Sequence, residues 1–316
     1  MSHQAIHVMV GILTDPTGRV LIAKRPEQVH QGGRWEFPGG KLKPTETPEQ
    51  GLARELAEEL GIEVRSSRPL IRVTHSYEDR RVCLDVRCVL AYTGVATGRE
   101  GQPLAWQYPE ELDPAVFPAA DRPIMTALRL PPYLLITGDD PARPDAFLNR
   151  LTRALHNGVQ LVQLRAHDLD DESYRRLAGG AYAVCKAHGA RLVLNRDPAR
   201  VADVARHGLH LTAARLALTR VRPGGAGDWV SASCHTVADL SRAAELGLDY
   251  AVLSPVQRTA SHPLTSPLGW QGFAAWIEPV SLPVYALGGL TAADLSIAYA
   301  HGAQGIAAIR SLWPRD

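Results

Sequence analysis

From residue 133 onward the chain repeats one pattern eight times, and no other feature limits its fold so strongly. Short apolar runs at 133–137, 160–165, 191–195, 208–211, 229–233, 250–254, 283–287 and 305–309 are separated mostly by helical stretches. Brief apolar runs of this kind suit strands buried on both faces, as in parallel sheets. Repeated strand–helix alternation predicts a closed α/β barrel of the (β/α)8 TIM type. At about 185 residues it would be compact for that architecture. The Pro- and Gly-rich run 222–228 is expected to replace a helix with a loop.

Residues 1–130 read differently. Apolar strands are expected at 6–13 and 20–23, joined as a hairpin through Asp15-Pro16-Thr17-Gly18, and again at 70–75, 81–92 and 105–108. A short helix at 123–130 completes an α+β unit, and Pro131-Pro132 marks the boundary between units 1–130 and 133–316. The chain's 45% hydrophobic content over 316 residues is enough for two such cores. Its net charge of +1 gives no sign of nucleic-acid or membrane affinity, so neither partner is expected. The Met1-Ser2-His3-Gln4 start lacks signal-peptide features, and Cys83, Cys88, Cys185 and Cys234 show no metal-ligand spacing. These residues read as reduced thiols of a cytoplasmic protein.

The stretch Gly40 to Ile62 carries the chemistry. Thr47 is placed to cap a helix with Pro48 at its first position, Gln50 completes a capping box, and Gly61 supplies the stop. Leu52, Leu56 and Leu60 form a buried stripe, while Glu55, Glu58 and Glu59 share a neighbouring face. Like charges at that spacing oppose a bare helix by roughly 0.2–0.5 kcal/mol per pair. A cation among them would reverse the sign, and hard oxygen donors suit Mg2+ or Mn2+. A solvated Glu-rich face is the alternative. The preceding Trp35-Glu36-Phe37-Pro38-Gly39-Gly40-Lys41 weighs against it, because paired glycines let backbone approach an anion or a metal.

The same residues match G-x5-E-x7-R-E-U-x-E-E-x-G-U at Gly40, Glu46, Arg54, Glu55, Leu56, Glu58, Glu59, Gly61 and Ile62, so this segment resembles the Nudix hydrolases. Lys24-Arg25-Pro26, Asp79-Arg80, Glu100-Gly101-Gln102-Pro103 and Phe117-Pro118-Ala119-Ala120 extend the resemblance to the MutT branch, the 8-oxo-dGTP diphosphatases of nucleotide-pool sanitation. It implies a metal site of Glu55, Glu58, Glu59, Glu100 and the Gly39 carbonyl, with Arg54 orienting a glutamate. It also implies a nucleotide pocket of Arg25, Phe37, Asp79, Arg80 and Asp121. The implied reaction is Mg2+-dependent attack of water at the β-phosphorus of 8-oxo-dGTP, and of 8-oxo-GTP as a second substrate, releasing the monophosphate and pyrophosphate. Asp121 departs from that branch, which has asparagine there. An amide both donates and accepts, whereas an ionised carboxylate only accepts, so Asp121 must be protonated or reoriented to serve the same base.

The second unit is similar to thiamine phosphate synthases and their TenI-like relatives through Val162-Gln163-Leu164-Arg165, Ser233-Cys234-His235-Thr236, Leu253-Ser254-Pro255-Val256 and Ala286-Leu287-Gly288-Gly289-Leu290. Arg165, Asn195, His235, Gly288 and Gly289 are the ligand candidates this implies, for a phosphorylated thiamine-type ligand. The synthase charges are replaced. Arg196 and Arg215 stand at the magnesium-binding aspartates, and His167 and His262 at the pyrophosphate-binding lysines. A barrel without the synthase step is therefore expected. His235 reads either as a tautomerase-type acid–base group or as a packed strand-end histidine. Two wider readings remain: a sanitation hydrolase with a degenerate barrel, or a thiamine-pathway pyrophosphatase whose barrel senses or processes a ligand.

Overall fold

A computed structural model gives the structure of residues 5–138, 143–259 and 266–314. The chain divides into two compact units, one running to Arg129 and the other beginning at Leu130, with Pro279–Ser281 grouped with the first.

In the first unit, strands β1 (Ile6–Ile12), β4 (Gly39–Lys41), β5 (Glu63–Ser76) and β6 (Arg81–Thr93) form one sheet in the order β4-β1-β6-β5. Strands β2 (Val20–Lys24), β3 (Trp35–Glu36) and β7 (Leu104–Gln107) form a second sheet in the order β3-β2-β7. The expected hairpin forms only beside its turn. Gly18 N–H donates to the Asp15 carbonyl at 2.9 Å, and the arms pair around the Thr14–Val20 bridge. There Asp15 N–H donates to the Arg19 carbonyl at 2.9 Å and Leu21 N–H to the Leu13 carbonyl at 3.0 Å, but beyond this the strands part into different sheets. Both arms are buried on two faces and so take separate partners. Met9 and Leu13 pack with Leu52, Leu56 and Leu60 of helix α1 (Pro48–Leu60). Val10 and Ile12 pack with Ile124 and Met125 of helix α2 (Arg122–Arg129) on the other side. Helix α1 starts and stops as expected, with the reciprocal Thr47–Gln50 capping box and Gly61 at φ +71°. Its three leucines have no exposure, each contributing roughly 1.5–3 kcal/mol of burial.

The second unit is a closed barrel of eight parallel strands, β8 (Tyr133–Ile136), β9 (Leu161–Leu164), β10 (Arg191–Leu194), β11 (Gly208–Leu211), β12 (Trp229–Cys234), β13 (Tyr250–Leu253), β14 (Val284–Leu287) and β15 (Gly305–Ala308). Leu134, Ile136, Leu161, Val193, Tyr250 and Tyr285 fill its interior. The alternate residues Leu135, Val162, Leu192 and Leu194 pack with helices α3 (Pro144–His156) and α4 (Asp171–Ala187). The missing helix is not where the Pro-Gly run predicts. A short helix α5 (Ala213–Leu218), capped by Thr212, precedes that run, whereas β10 and β11 are joined through only the 3-10 turn Pro198–Val201. Helices α6 (Val237–Glu245), α7 (Gly269–Ile277) and α8 (Leu295–Ala300) complete the shell. Among the described residues no helix is long and apolar enough to cross a membrane.

Candidate active site

Helix α1 presents its carboxylates through a guanidinium. Arg54 donates to both oxygens of Glu46, to Glu55 at 2.7 Å, to Glu58 at 3.2 Å and to the Lys41 carbonyl at 3.0 Å. Arg54 holds Glu46 down to about 2. Its own protonation is reinforced by Glu46 and Glu55. Glu58 is 57% exposed on its side chain and Glu55 only 19%, because Glu55 lies against Gly40. No Cβ fits on Gly40 without overlapping the Glu55 carboxylate.

Glu59 faces the other way. It accepts the Gly39 N–H at 2.9 Å, and Gln102 donates to its carbonyl at 3.1 Å. Burial pushes its carboxyl up to about 7, with the charges of Glu36 and Glu100 adding to the rise and the Gly39 amide opposing it. The expected grip of three carboxylates on one point is therefore not drawn together. Glu55 and Glu58 are both tied to Arg54, and no three His, Cys, Asp or Glu side chains among the described residues are grouped to hold an ion. The donor chemistry nonetheless fits a hard dication. Burial and the Glu100 charge raise the proton affinity of Glu36, burial and the charges of Glu36 and Glu100 raise that of Glu59, and a cation offsets such an excess of negative charge.

Beside this edge opens a cavity of about 360 Å3, lined by Gly39, Gly40 and Lys41 from β4 and by Arg25, Glu36, Phe37, Tyr77, Arg80, Glu100 and Asp121. None of the three helix glutamates lines it; Glu59 reaches it through Gly39. Phe37 is buried against Phe117, ring centroids 5.7 Å apart. Arg25 pairs with Glu36 and donates to the His30 carbonyl. Arg80 pairs with its neighbour Asp79, which lies outside the lining and is half exposed. Asp121, from the 3-10 turn Ala119–Asp121, is 6% exposed, and its Oδ2 has no hydrogen-bond partner among the described residues. Burial pushes it up to about 8; the Glu36 charge adds to this and Arg25 opposes it.

Sequence reasoning gave no role to Glu36, Gln102 or Tyr77. The signal for Glu36 was a charge inside an apolar strand end, Trp35-Glu36-Phe37. For Gln102 and Tyr77 no local pattern existed.

In the barrel the candidates separate. Asn195, 5% exposed, shares a cavity of about 340 Å3 with His167, Arg196 and Arg215. Gly288 and Gly289, at φ +110° and +70°, line a different cavity of about 380 Å3 with Thr291, Ala308 and Arg310. Arg165 is exposed and lines neither. The packed reading of His235 is corrected: it is exposed just past β12, with Nδ1 3.0 Å from the Ser254 carbonyl. His210 is buried instead, between Ser231 and Ser233 at 2.8 Å each, and burial pulls it down to about 3. His262 lies outside the described residues.

Comparisons with known proteins follow the same division. A NUDIX domain model matches residues 9–127, and a thiamine monophosphate synthase model matches residues 133–312. The first unit is 43% identical over 101 residues to an 8-oxo-dGTP diphosphatase of Proteus vulgaris, covering 32% of this chain and 90% of that protein. It is 36% identical over 119 residues to a CTP pyrophosphohydrolase of Escherichia coli, covering 38% and 88%. The second unit is 31% identical over 182 residues to a thiamine-phosphate synthase of Thermus thermophilus, covering 57% and 87%. The chain therefore belongs to the Nudix hydrolases through its first unit and to the thiamine monophosphate synthase family through its second.

Proposed function

We propose that the first unit is a metal-dependent nucleoside triphosphate pyrophosphohydrolase acting on oxidised purine nucleotides, 8-oxo-dGTP first among them. The observation that carries this reading is the Glu59–Gly39 hydrogen bond, which ties the signature helix to the rim of a cavity floored by Phe37 and Asp121. Glu55, Glu58, Glu59 and Glu100 would hold Mg2+, with the Gly39 carbonyl. When bound, the ion neutralises phosphate charge and lowers the pKa of attacking water. Arg54 keeps Glu55 and Glu58 positioned through its hydrogen bonds. Arg25 and Arg80 supply positive charge to the cavity that receives the nucleotide. Glu59, carrying a proton near neutrality, is suited to accept one from the nucleophile once it is ionised.

Turnover of 8-oxo-dGTP, dGTP, CTP and thiamine-type pyrophosphates by the full chain tests the reading, with pyrophosphate and phosphate release measured separately. The expected result is pyrophosphate release that is fastest with 8-oxo-dGTP and abolished by EDTA. Preference for thiamine pyrophosphates, or phosphate as the only inorganic product, would replace it with the thiamine-pathway reading.

Asp121 decides the base. Protonated, it donates from one oxygen and accepts on the other, the pattern that O6 and N7–H of 8-oxoguanine require. Ionised, it only accepts, which suits the amino group of cytosine and the relationship to a CTP pyrophosphohydrolase. A folded-state value of about 8 keeps the proton on at neutral pH. For 8-oxo-dGTP, kcat/KM is thus expected to fall as pH rises through about 8, and the Asp121→Asn variant should lack that fall. Stability follows the same sign. The folded state holds a proton that the unfolded chain releases near 3.8, so the contribution of this carboxyl to stability is full below that value and declines until about pH 8. The slope is up to about 1.4 kcal/mol per pH unit and is absent in Asp121→Asn. Superimposable pH–rate and pH–stability curves for the two proteins would refute the proton on Asp121.

A further inference from the structure

The family of the second unit implies a magnesium site at the mouth of the barrel, and the side chains there do not fit one. The cavity beyond the ends of β10 and β11 is lined by His167, Arg196, Arg200 and Arg215, with Asn195, Asp197 and Thr212 between them. Among the described residues two carboxylates are bonded to its arginines, Asp197 from the lining itself and Asp171 behind it, and each already has a guanidinium. Asp171 accepts from Arg196 at 2.8 Å and from Arg200 at 3.2 Å, and Asp197 accepts from Arg215 at 3.3 Å. A dication would have to enter among three positive charges and take carboxylates away from them.

We propose instead that this mouth is a metal-independent anion site, taking a phosphate or diphosphate group directly on arginine. Three guanidinium groups face two carboxylates, so the lining is left with a surplus of positive charge. Arg196 is the rigid member. It is 14% exposed, donates to the Leu169 carbonyl at 2.8 Å and lies over the Tyr174 ring at 4.9 Å. Arg200 and Arg215 are more open, at 59% and 33%, and since Arg200 reaches Asp171 through Nη1 and Arg215 reaches Asp197 through Nη2, each guanidinium has donors to spare. The field is visible in a neighbour: His167 is pulled below its ordinary value by burial and by the charges of Arg165 and Arg196, with Asp168 opposing weakly. The position is also appropriate, because ligands of parallel barrels enter at the C-terminal ends of the strands. Planar guanidinium forks match phosphate oxygens without a bridging metal.

Calorimetric titration of the full chain with sodium pyrophosphate and with sodium phosphate, both in EDTA, tests this site. Saturable binding of at least one is expected, weakened by salt and not tightened by Mg2+. Arg215→Ala and Arg200→Ala should each weaken it about tenfold, the loss of one charge-assisted contact. The Arg25→Ala variant, altered in the other unit, should bind as the unaltered chain does, which separates this site from the nucleotide cavity. Thermal melting checks that each variant is folded; Arg200, being exposed, can be replaced without disturbing the core. Absence of saturable heat in EDTA, binding that appears only with Mg2+, or affinity unchanged in both arginine variants would overturn the proposal and leave an arginine–aspartate network that only closes the loops.

Discussion

Replacing Glu59 with Gln is expected to lower kcat by on the order of 10³, about 4 kcal/mol of transition-state stabilisation, while leaving the fold intact. The amide keeps the size of the side chain and can still accept the Gly39 N–H, so β4 stays in register with β1. What disappears is a group that can ionise. Glu59 is held near 7 by burial and by Glu36 and Glu100, so cation binding must compete with a proton there. Mg2+ affinity of the unaltered protein should accordingly rise with pH up to about 7 and level off above it, and in Glu59→Gln that part of the dependence should be lost. Calorimetry in two buffers of different ionisation enthalpy reads the proton release independently of turnover. Near-normal kcat in Glu59→Gln, together with proton-independent Mg2+ binding in the unaltered chain, would place the chemistry elsewhere.

The two glycines of β4 are expected to fail in different ways. A Cβ on Gly40 would overlap only the Glu55 carboxylate, the far end of a flexible side chain. Gly40→Ala should therefore fold, displace Glu55 from Arg54 and reduce kcat on the order of 10², the usual cost of misplacing a catalytic group by about an ångström. A Cβ on Gly39 would overlap the Met9 backbone carbonyl, and Gly39 sits at φ +153°, which side-chain-bearing residues avoid. Gly39→Ala should lose stability first, by at least roughly 2 kcal/mol. Chemical denaturation beside steady-state kinetics separates the two. If Gly40→Ala were fully active, Glu55 would not need its present seat.

Much of this was legible in the chain. The capping box, the leucine stripe and the Gly61 stop delimit α1 because their hydrogen bonds close within a few residues. The barrel strands were readable for a similar reason: each must be apolar on both faces, so its composition reports its burial directly. The extent of the hairpin and the position of the missing barrel helix differ from expectation, because both depend on distant partners. Two-sided burial drew β1 and β2 into separate sheets, and no local signal marked the loss of a helix between β10 and β11.

One helix carrying an arginine and three glutamates, the glycine pair before it, and arginines at 196 and 215 can all be read from the chain alone. Only the tertiary structure decided that Arg54 divides Glu55 and Glu58 from Glu59, that Glu36 stands close enough to raise Asp121, and that Arg196, Arg200 and Arg215 meet at one mouth. The physical reason is range. Helix spacing is fixed by bonds between near neighbours, whereas proton affinity and charge balance depend on burial and on groups brought together from remote parts of the chain.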